Sequence, residues 1–308
     1  MLTRGNDRAI LWLMLMLIGA VWGLTMPLTK IAVSTGHGHF GLIFWQLVMS
    51  GCCLAVLAYF GGRRRQVRPL TWPRLLICVV IALAGTVIPN TFSYQAAVHL
   101  PAGVMSIIVS LVPMMALPIA VLIGVERFRL GRFSGILLGA VAIVLLLGPD
   151  TSLPNPAASV FVLIALISPF CYAGEANFVA RYGLAGLNPI EALFWASLLG
   201  VLIAVPLVLV SSHWVDLSVT WGPAEYSLLS LSVLHALCYS GYVWLVGRAG
   251  SVFASQVAYV VTGFGVFWSI VLLGEAYSGW VWGAVVLMTA GLIMVQPRPG
   301  SDLPAERR

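Results

Sequence analysis

Long apolar runs dominate the pattern of hydrophobic and polar positions along this chain. The runs are continuously apolar and do not alternate with a period of two residues, so helices are expected rather than the strands of a barrel. A bilayer core of about 30 Å needs roughly 20 apolar residues in helical form. The pattern predicts ten membrane-spanning helices, near residues 10–33, 40–60, 75–95, 103–124, 133–148, 157–180, 190–210, 226–247, 252–273 and 279–296.

Composition supports the same class of protein. Of 308 residues, 60% are hydrophobic and only 8% are charged, and the mean hydropathy is +1.01. A soluble domain carries about 25% charged residues, so a soluble enzyme, a nucleic-acid-binding domain and a disordered scaffold are disfavoured. We therefore predict an all-α integral membrane protein whose partners are the lipid bilayer and a small-molecule substrate, not nucleic acid. The five cysteines lie in or beside apolar runs, and we predict no disulfide, metal site or cofactor.

Basic residues are distributed unevenly between the loops that these spans would create. With the amino terminus in the cytoplasm, fifteen of the sixteen basic residues fall on the cytoplasmic side and only Lys30 on the other. The positive-inside rule then predicts cytoplasmic termini in the inner (plasma) membrane. Residues 4–33 resemble a signal peptide, but the apolar run is too long and lacks a cleavage site, so we expect a retained helix. A lipid or nucleic-acid patch is the alternative interpretation of the arginines at 63–68.

The two halves of the chain resemble each other weakly. At an offset of 150 residues Trp45 aligns with Trp195, and at an offset of 149 residues Glu126 aligns with Glu275. A stretch rich in Gly, Pro and Asn separates the halves. We predict a first repeat of five spans at residues 1–150, and a second at 151–308 that ends in a short cytoplasmic tail. Because five is odd, the two five-helix repeats would be inverted, an arrangement typical of transporters.

Several short motifs point to one family. The segments FSYQAA (92–97) and VERF (125–128), with Pro113 between them, resemble the signature around the third and fourth helices of the EamA family. That family is the ten-helix branch of the drug/metabolite transporter superfamily. The segment AVWG (20–23) resembles its first-helix motif. Gly274 and Glu275, with Gly283 and Gly291, resemble the ending of its second copy.

The resemblance spans about residues 10–296 and implies a secondary transporter, often an exporter of amino acids or other small metabolites. One position departs from the family, because Gln46 stands where a basic residue is common. No phosphate-binding Gly-rich loop with Lys-Ser/Thr is present, in keeping with a protein that does not hydrolyse ATP.

Polar side chains recur at helical spacing within six predicted spans, in the matched pairs one and six, three and eight, and four and nine. Such side chains are costly in a membrane helix unless they face a cavity or a partner. In the resembling family these helices surround the central cavity. We predict that the stripes line a substrate-binding cavity. The predicted substrate-binding residues are Trp22, Thr25, Asn90, Tyr94, Ser106, Ser110, Tyr172, Glu175, His235, Tyr239, Tyr242, Ser255, Tyr259 and Thr262.

Alternatives remain open for many of these residues. Glu175, the one carboxylate predicted well inside a span, suits a substrate ammonium or a proton, but it could instead pair with Arg181 or Lys30. His235 could carry a proton or form a neutral wall of the cavity. Any Ser or Thr could bond its own helix backbone.

We expect structural roles for three prolines and two glutamates. Pro89, Pro113 and Pro169 are expected to kink or open their helices. Glu126 and Glu275 are expected to complement a helix dipole.

The sequence favours a secondary transporter that moves a small organic metabolite by alternating access, with export of amino acids or amines as the leading hypothesis. A lipid or nucleotide-sugar type flippase or transporter is the alternative, and a channel also remains open. An intramembrane enzyme is disfavoured, since the sequence has neither an HExxH motif nor an Asp pair. A monomer is compatible with these observations.

Overall fold

The computed structural model describes residues 4–60, 68–124, 126, 128–147, 157–249 and 251–295. These residues form α-helices joined by short loops, and a π-helical turn at Leu83–Val87 joins α3 to α4. The helices are α1 (Arg4–Ala32), α2 (His39–Phe60), α3 (Trp72–Ala82), α4 (Ile88–His99), α5 (Ala102–Val109), α6 (Val112–Leu122), α7 (Leu130–Leu147), α8 (Ala158–Ala165), α9 (Ile167–Tyr182), α10 (Pro189–Ser211), α11 (Pro223–Ala249), α12 (Ser251–Ala254), α13 (Val257–Leu273) and α14 (Gly279–Val295).

Within the described ranges, eight helical stretches are long and apolar enough to cross a membrane. Each coincides with one of the first eight predicted spans, which confirms a helical membrane protein. The last two predicted spans coincide with α13 and α14, apolar helices of 17 residues each. At 1.5 Å per residue such a helix is about 25 Å long, somewhat less than a bilayer core. Ten complete crossings therefore stay a prediction.

The described surface suits a lipid environment. Large apolar side chains such as Leu122 and Val210 are 85% and 88% exposed. A soluble protein rarely exposes apolar surface on this scale, whereas lipid-facing helices require it.

Three prolines interrupt their spans, as predicted. The π-helical turn ends two residues before Pro89, a break at Ser110 and Leu111 precedes Pro113, and a break at Leu166 precedes Pro169. Proline has no N–H to close the preceding turn, so the turn widens or ends there.

One predicted span has a break without a proline. The ninth span was expected to be continuous over 252–273, but the chain makes a tighter turn at Ser255 and Gln256, where the Gln256 N–H donates to the Phe253 carbonyl at 3.1 Å. Bonds between residues three apart are typical of short 3₁₀ turns, and α13 begins only after this turn.

Helices of the two halves pack against each other in a mirrored pattern. Helix α1 lies against α11 and α13, α9 lies against α4 and α6, α2 lies against α10, and α7 lies against α14. Glycines permit the closest of these approaches: a Cβ on Gly23 would lie 2.8 Å from the Gly265 backbone nitrogen, and one on Gly135 would lie 2.7 Å from the Gly291 oxygen. Small residues are the usual contact points between membrane helices.

The bundle has two chemically different faces. We name the first the basic face: it carries Arg68, Arg74, Arg132, Arg181 and Arg248 at helix ends and loops. There Arg74 donates to the Ala185 carbonyl and Arg132 to the Val295 carbonyl.

We name the opposite end the histidine face, where His37, His39, His99 and His213 lie. Helix α2 begins at this face with His39 and runs for 22 residues to the basic face.

Glu126 and Glu275 have different roles in the structure. Glu126 forms an ion pair with Arg132 on the basic face. Glu275 complements a helix dipole as expected, but the helix is α5 of the other half rather than the adjacent α14. Its carboxylate accepts the N–H groups of Ala102 at 2.8 Å and Gly103 at 3.2 Å.

Candidate substrate site

A hydrogen-bonded polar network lies between α2, α4 and α9, inside the membrane-spanning region. The Gln46 side-chain oxygen accepts from the Asn90 amide at 2.9 Å and from the Tyr94 hydroxyl. The Tyr172 hydroxyl donates to the Asn90 side-chain oxygen at 3.1 Å. Gln46 and Tyr94 are buried, so the network satisfies polar groups that would otherwise be costly in this environment. It joins three of the predicted site residues through Gln46, which sequence reasoning noted only as a departure from the family.

Glu175 lies beside this network, one turn after Tyr172 on α9. Its carboxylate interacts electrostatically with the phenols of Tyr172 and of Tyr239 on α11. It also packs on the π-helical turn, because a Cβ on Gly85 would lie 3.0 Å from Glu175 Cδ. Within the described residues the carboxylate has no ion-pair partner.

The structural pairings expected as alternatives for Glu175 are not formed. Lys30 instead donates to the carbonyls of Ala97, Val98 and Leu100 at 2.6–3.0 Å, where α4 ends. The Arg181 guanidinium lies over the Tyr182 ring, 5.9 Å from its centroid.

An aromatic group from α1 and α11 extends the site. The Trp22 ring meets the His235 ring edge-on with centroids 5.8 Å apart, and the Tyr242 ring with centroids 6.2 Å apart. His235 and Tyr239 are one turn apart on α11, so this group and the Glu175 environment share one helix face.

Four of the predicted hydroxyl residues bond their own helix backbone. Thr25 donates to the Trp22 carbonyl at 2.6 Å and Thr262 to the Ala258 carbonyl at 2.8 Å. Ser106 and Ser110 donate in the same way to carbonyls within α5. The structure thus places these hydroxyls in the alternative arrangement that the sequence left open.

The two remaining predicted residues, Ser255 and Tyr259, lie elsewhere. They line a cavity of about 210 Å³ towards the basic face, together with Asn177. The Tyr259 hydroxyl is buried and has no hydrogen-bond partner among the described residues. Sequence reasoning missed Asn177, whose amide donates to the Ala116 carbonyl of α6 at 3.0 Å. Its only signal was a polar side chain two residues after Glu175.

The arrangement provides complementary binding chemistry in one place. A half-buried carboxylate with tyrosines nearby suits a cationic group, through charge and through the faces of aromatic rings. The aromatic rings of Trp22, His235 and Tyr242 suit an apolar substituent. No group of three or more potential metal ligands occurs among the described residues.

Comparisons with known proteins identify the family of the chain. The model of the EamA-like transporter family matches residues 9–148 and again 159–296. A relative from Streptantibioticus cattleyicolor, described as a probable terminal-alkyne amino-acid exporter, is 22% identical over 287 residues, covering 92% of each chain. A crystal structure of another protein superposes with a TM-score of 0.62 at 17% identity, over 94% of this chain and 97% of that one. That similarity shows the fold alone.

The family comparison confirms the resemblance read from the motifs and assigns the chain to the class of small-molecule membrane transporters. The two matches cover nearly the whole chain, apart from its ends and the segment between the halves. The chain therefore belongs to the EamA-like transporter family.

Proposed function

We propose that this protein is a secondary transporter that exports an amino acid or amine by alternating access. The observation that carries the proposal is the position of Glu175 in the bundle interior, where it packs against Gly85 and acts electrostatically on the phenols of Tyr172 and Tyr239. A carboxylate in a membrane helix is retained where it meets a cation or a proton. A substrate ammonium fulfils this requirement.

The cargo class has two further supports. Trp22, Tyr242 and the network around Asn90 offer an apolar wall and polar groups on either side of Glu175. The relative described as a probable amino-acid exporter covers 92% of this chain. An amino acid presents an ammonium, a carboxylate and a side chain together, which matches these three kinds of surface.

Alternating access is proposed from the organisation of the chain. The family matches the chain twice, and the helix contacts of the two halves mirror each other. We propose that residues 1–150 and 151–308 are inverted repeats, whose conformations exchange so that the site opens to either side. The family points to a transporter rather than an enzyme.

The proposal also includes a location. Arginine is concentrated on the basic face, so we place that face and both termini in the cytoplasm, with the protein as a monomer in the plasma membrane.

A transport assay with purified protein tests the function. Proteoliposomes are loaded in turn with labelled amino acids, amines, a nucleotide sugar and, in the membrane, a fluorescent lipid. We expect efflux of at least one amino acid or amine to exceed the efflux from liposomes that carry the same substrate but no protein. Efflux restricted to the nucleotide sugar or the lipid, or to none of the panel, contradicts the proposal.

The variant Glu175→Gln tests the site. Loss of a charge-assisted contact costs about 1.5–3 kcal/mol, so we expect transport at low substrate concentration to fall by roughly tenfold or more. Asp216→Asn is the matched control, because it also removes one carboxylate charge, but from a fully exposed position. Equal transport by Glu175→Gln and the control removes Glu175 from the mechanism.

A further inference from the structure

Four of the five histidines in the chain line one cavity at the histidine face. The cavity has a volume of about 310 Å³ and includes Gln95 and Tyr94 in its wall. Glu175 and His235, which belong to the candidate substrate site, are not among its lining residues.

His37 has an acidic partner. Its Nε2 lies 2.7 Å from Glu225 Oε1, and the other oxygen of Glu225 accepts the Gly222 N–H at 2.7 Å. This pair connects the loop before α2 to the start of α11. The other three imidazoles of the cavity, those of His39, His99 and His213, do not take part in this pair.

Those three imidazoles have neutral neighbours. His39 Nε2 lies 3.3 Å from the Gln95 amide nitrogen, and the His39 and His213 ring centroids are 4.8 Å apart. His213 Nδ1 is buried and has no hydrogen-bond partner among the described residues. His99 stacks on Phe161 with centroids 3.6 Å apart.

The charges around the cavity are unbalanced. No carboxylate is among the described residues that line it. Of the neighbouring elements, α11 supplies Glu225, already paired with His37, and α1 supplies Lys30. Helix α4 supplies Tyr94 and His99, the loop after α10 supplies the exposed Asp216, which binds Ser218, and the loop before α14 supplies Glu275, which binds the N–H groups where α5 begins. Helix α8 carries no titratable side chain. Protonated imidazoles would therefore lack a compensating anion among the residues that line the cavity.

The backbone adds to this imbalance. Helix α2 starts at His39, so the positive end of its dipole also faces this region.

We propose that this cavity is a binding site for a small monocarboxylate anion, which it takes up when its imidazoles are protonated. Imidazolium N–H groups form charge-assisted hydrogen bonds to a carboxylate. The volume is roughly ten times the share of one water molecule, about 30 Å³, and therefore admits a small organic acid. Val33, Val98 and Phe161 provide an apolar wall for its substituent.

Tyr94 connects this site to the interior. It lines the cavity, and its hydroxyl donates to Gln46, the centre of the polar network described above. The anion site does not depend on which cargo the protein carries, and it is tested by binding rather than by transport.

Binding of benzoate to the protein in nanodiscs tests the proposal, measured by equilibrium dialysis at pH 5.5 and 7.5 with empty nanodiscs as the blank. The two pH values lie on either side of the pKa of a free imidazole, near 6.5. We expect benzoate to bind several-fold more tightly at pH 5.5 than at pH 7.5.

Benzyl alcohol has a similar shape without the charge. We expect it to bind weakly and equally at both pH values. The proposal is overturned if the affinity for benzoate does not change with pH. It is also overturned if benzyl alcohol binds with the same affinity and the same pH dependence.

Variants locate the site. We expect His39→Gln and His213→Gln each to abolish most of the gain in benzoate affinity at pH 5.5. His235→Gln removes an imidazole from the candidate substrate site instead, and should leave the gain intact. The assignment is refuted if His235→Gln loses the gain in benzoate affinity while His39→Gln and His213→Gln retain it. That result would place the anion in the interior.

Discussion

Gly85 and Glu175 fit each other closely at the scale of single atoms. A Cβ on Gly85 would lie 3.0 Å from both Cδ and Oε2 of Glu175. Contacts of this length force the neighbour to move by a few tenths of an ångström, so the missing side chain gives the carboxylate its position. Gly85 also lies in the π-helical turn, a feature often found at functional sites.

The substitution Gly85→Ala should therefore impair binding without impairing folding. Alanine favours a helix by up to about 1 kcal/mol over glycine, so we expect an unchanged or slightly raised Tm. Displacement of the carboxylate should raise the apparent KM for transport by roughly tenfold, equivalent to about 1.4 kcal/mol. Gly263→Ala is the control, since a Cβ there meets nothing within 4 Å. A parallel change in both variants would show that position 85 has no special role.

The sequence predicts those site residues whose neighbours lie on the same helix. Tyr172 and Glu175 are three residues apart on α9, and helical spacing alone places them together. Gln46 and Asn177 were missed. Their contacts with Tyr94 and Ala116 are made between helices. Sequence spacing carries no information about which helices meet.

Sequence spacing also does not show what a hydroxyl side chain binds. Thr25 and Thr262 fit a predicted polar stripe equally well whether they face a ligand or their own backbone. In the structure both donate to a carbonyl of the preceding turn, because this bond is available in any helix.

The turn between α4 and α5 is stabilised by two charged side chains, one from α1 and one from the loop between α13 and α14. Lys30 of α1 donates to carbonyls where α4 ends, and Glu275 accepts N–H groups where α5 begins. Each charge matches the helix dipole at its position. Burial raises the pKa of the Tyr277 phenol, which stays protonated and donates to Glu275.

We expect Glu275→Gln to destabilise the protein by about 1–2 kcal/mol, since a neutral amide keeps one acceptor oxygen but loses the charge. The change should lower the Tm in detergent by several degrees. Asp216→Asn serves as the control, because Asp216 is fully exposed and accepts hydrogen bonds from the N–H and hydroxyl of the nearby Ser218. An unchanged Tm in Glu275→Gln would mean that the turn is held by packing alone.

At the scale of elements the apolar pattern predicts helix positions well and their interruptions incompletely. The prolines indicated where three spans would open. The pattern could not distinguish the π-helical turn before Pro89 from the breaks before Pro113 and Pro169, because the form of each interruption depends on the packing around it. No proline lies at the turn at Ser255 and Gln256, so the sequence did not indicate this interruption.

The whole molecule presents arginine at one end and histidine at the other. Arg74 and Arg132 bond backbone carbonyls of neighbouring helix ends on the basic face, whereas His37 pairs with Glu225 on the histidine face. Arginine is costly to move across a membrane, and its concentration on one side sets the orientation of a helical bundle. We therefore propose that the histidine face lies on the external side.

Orientation is tested by cysteine labelling in intact cells. In a background whose five natural cysteines are replaced, Ser34→Cys places a thiol in the exposed loop after α1, on the histidine face, and Tyr182→Cys places one on the basic face. Tyr182 is 65% exposed, so access to the thiol depends on the side of the membrane and not on burial. We expect a membrane-impermeant maleimide to label Ser34→Cys directly and Tyr182→Cys only after permeabilisation. The reverse pattern would place the basic face outside and contradict the proposed orientation.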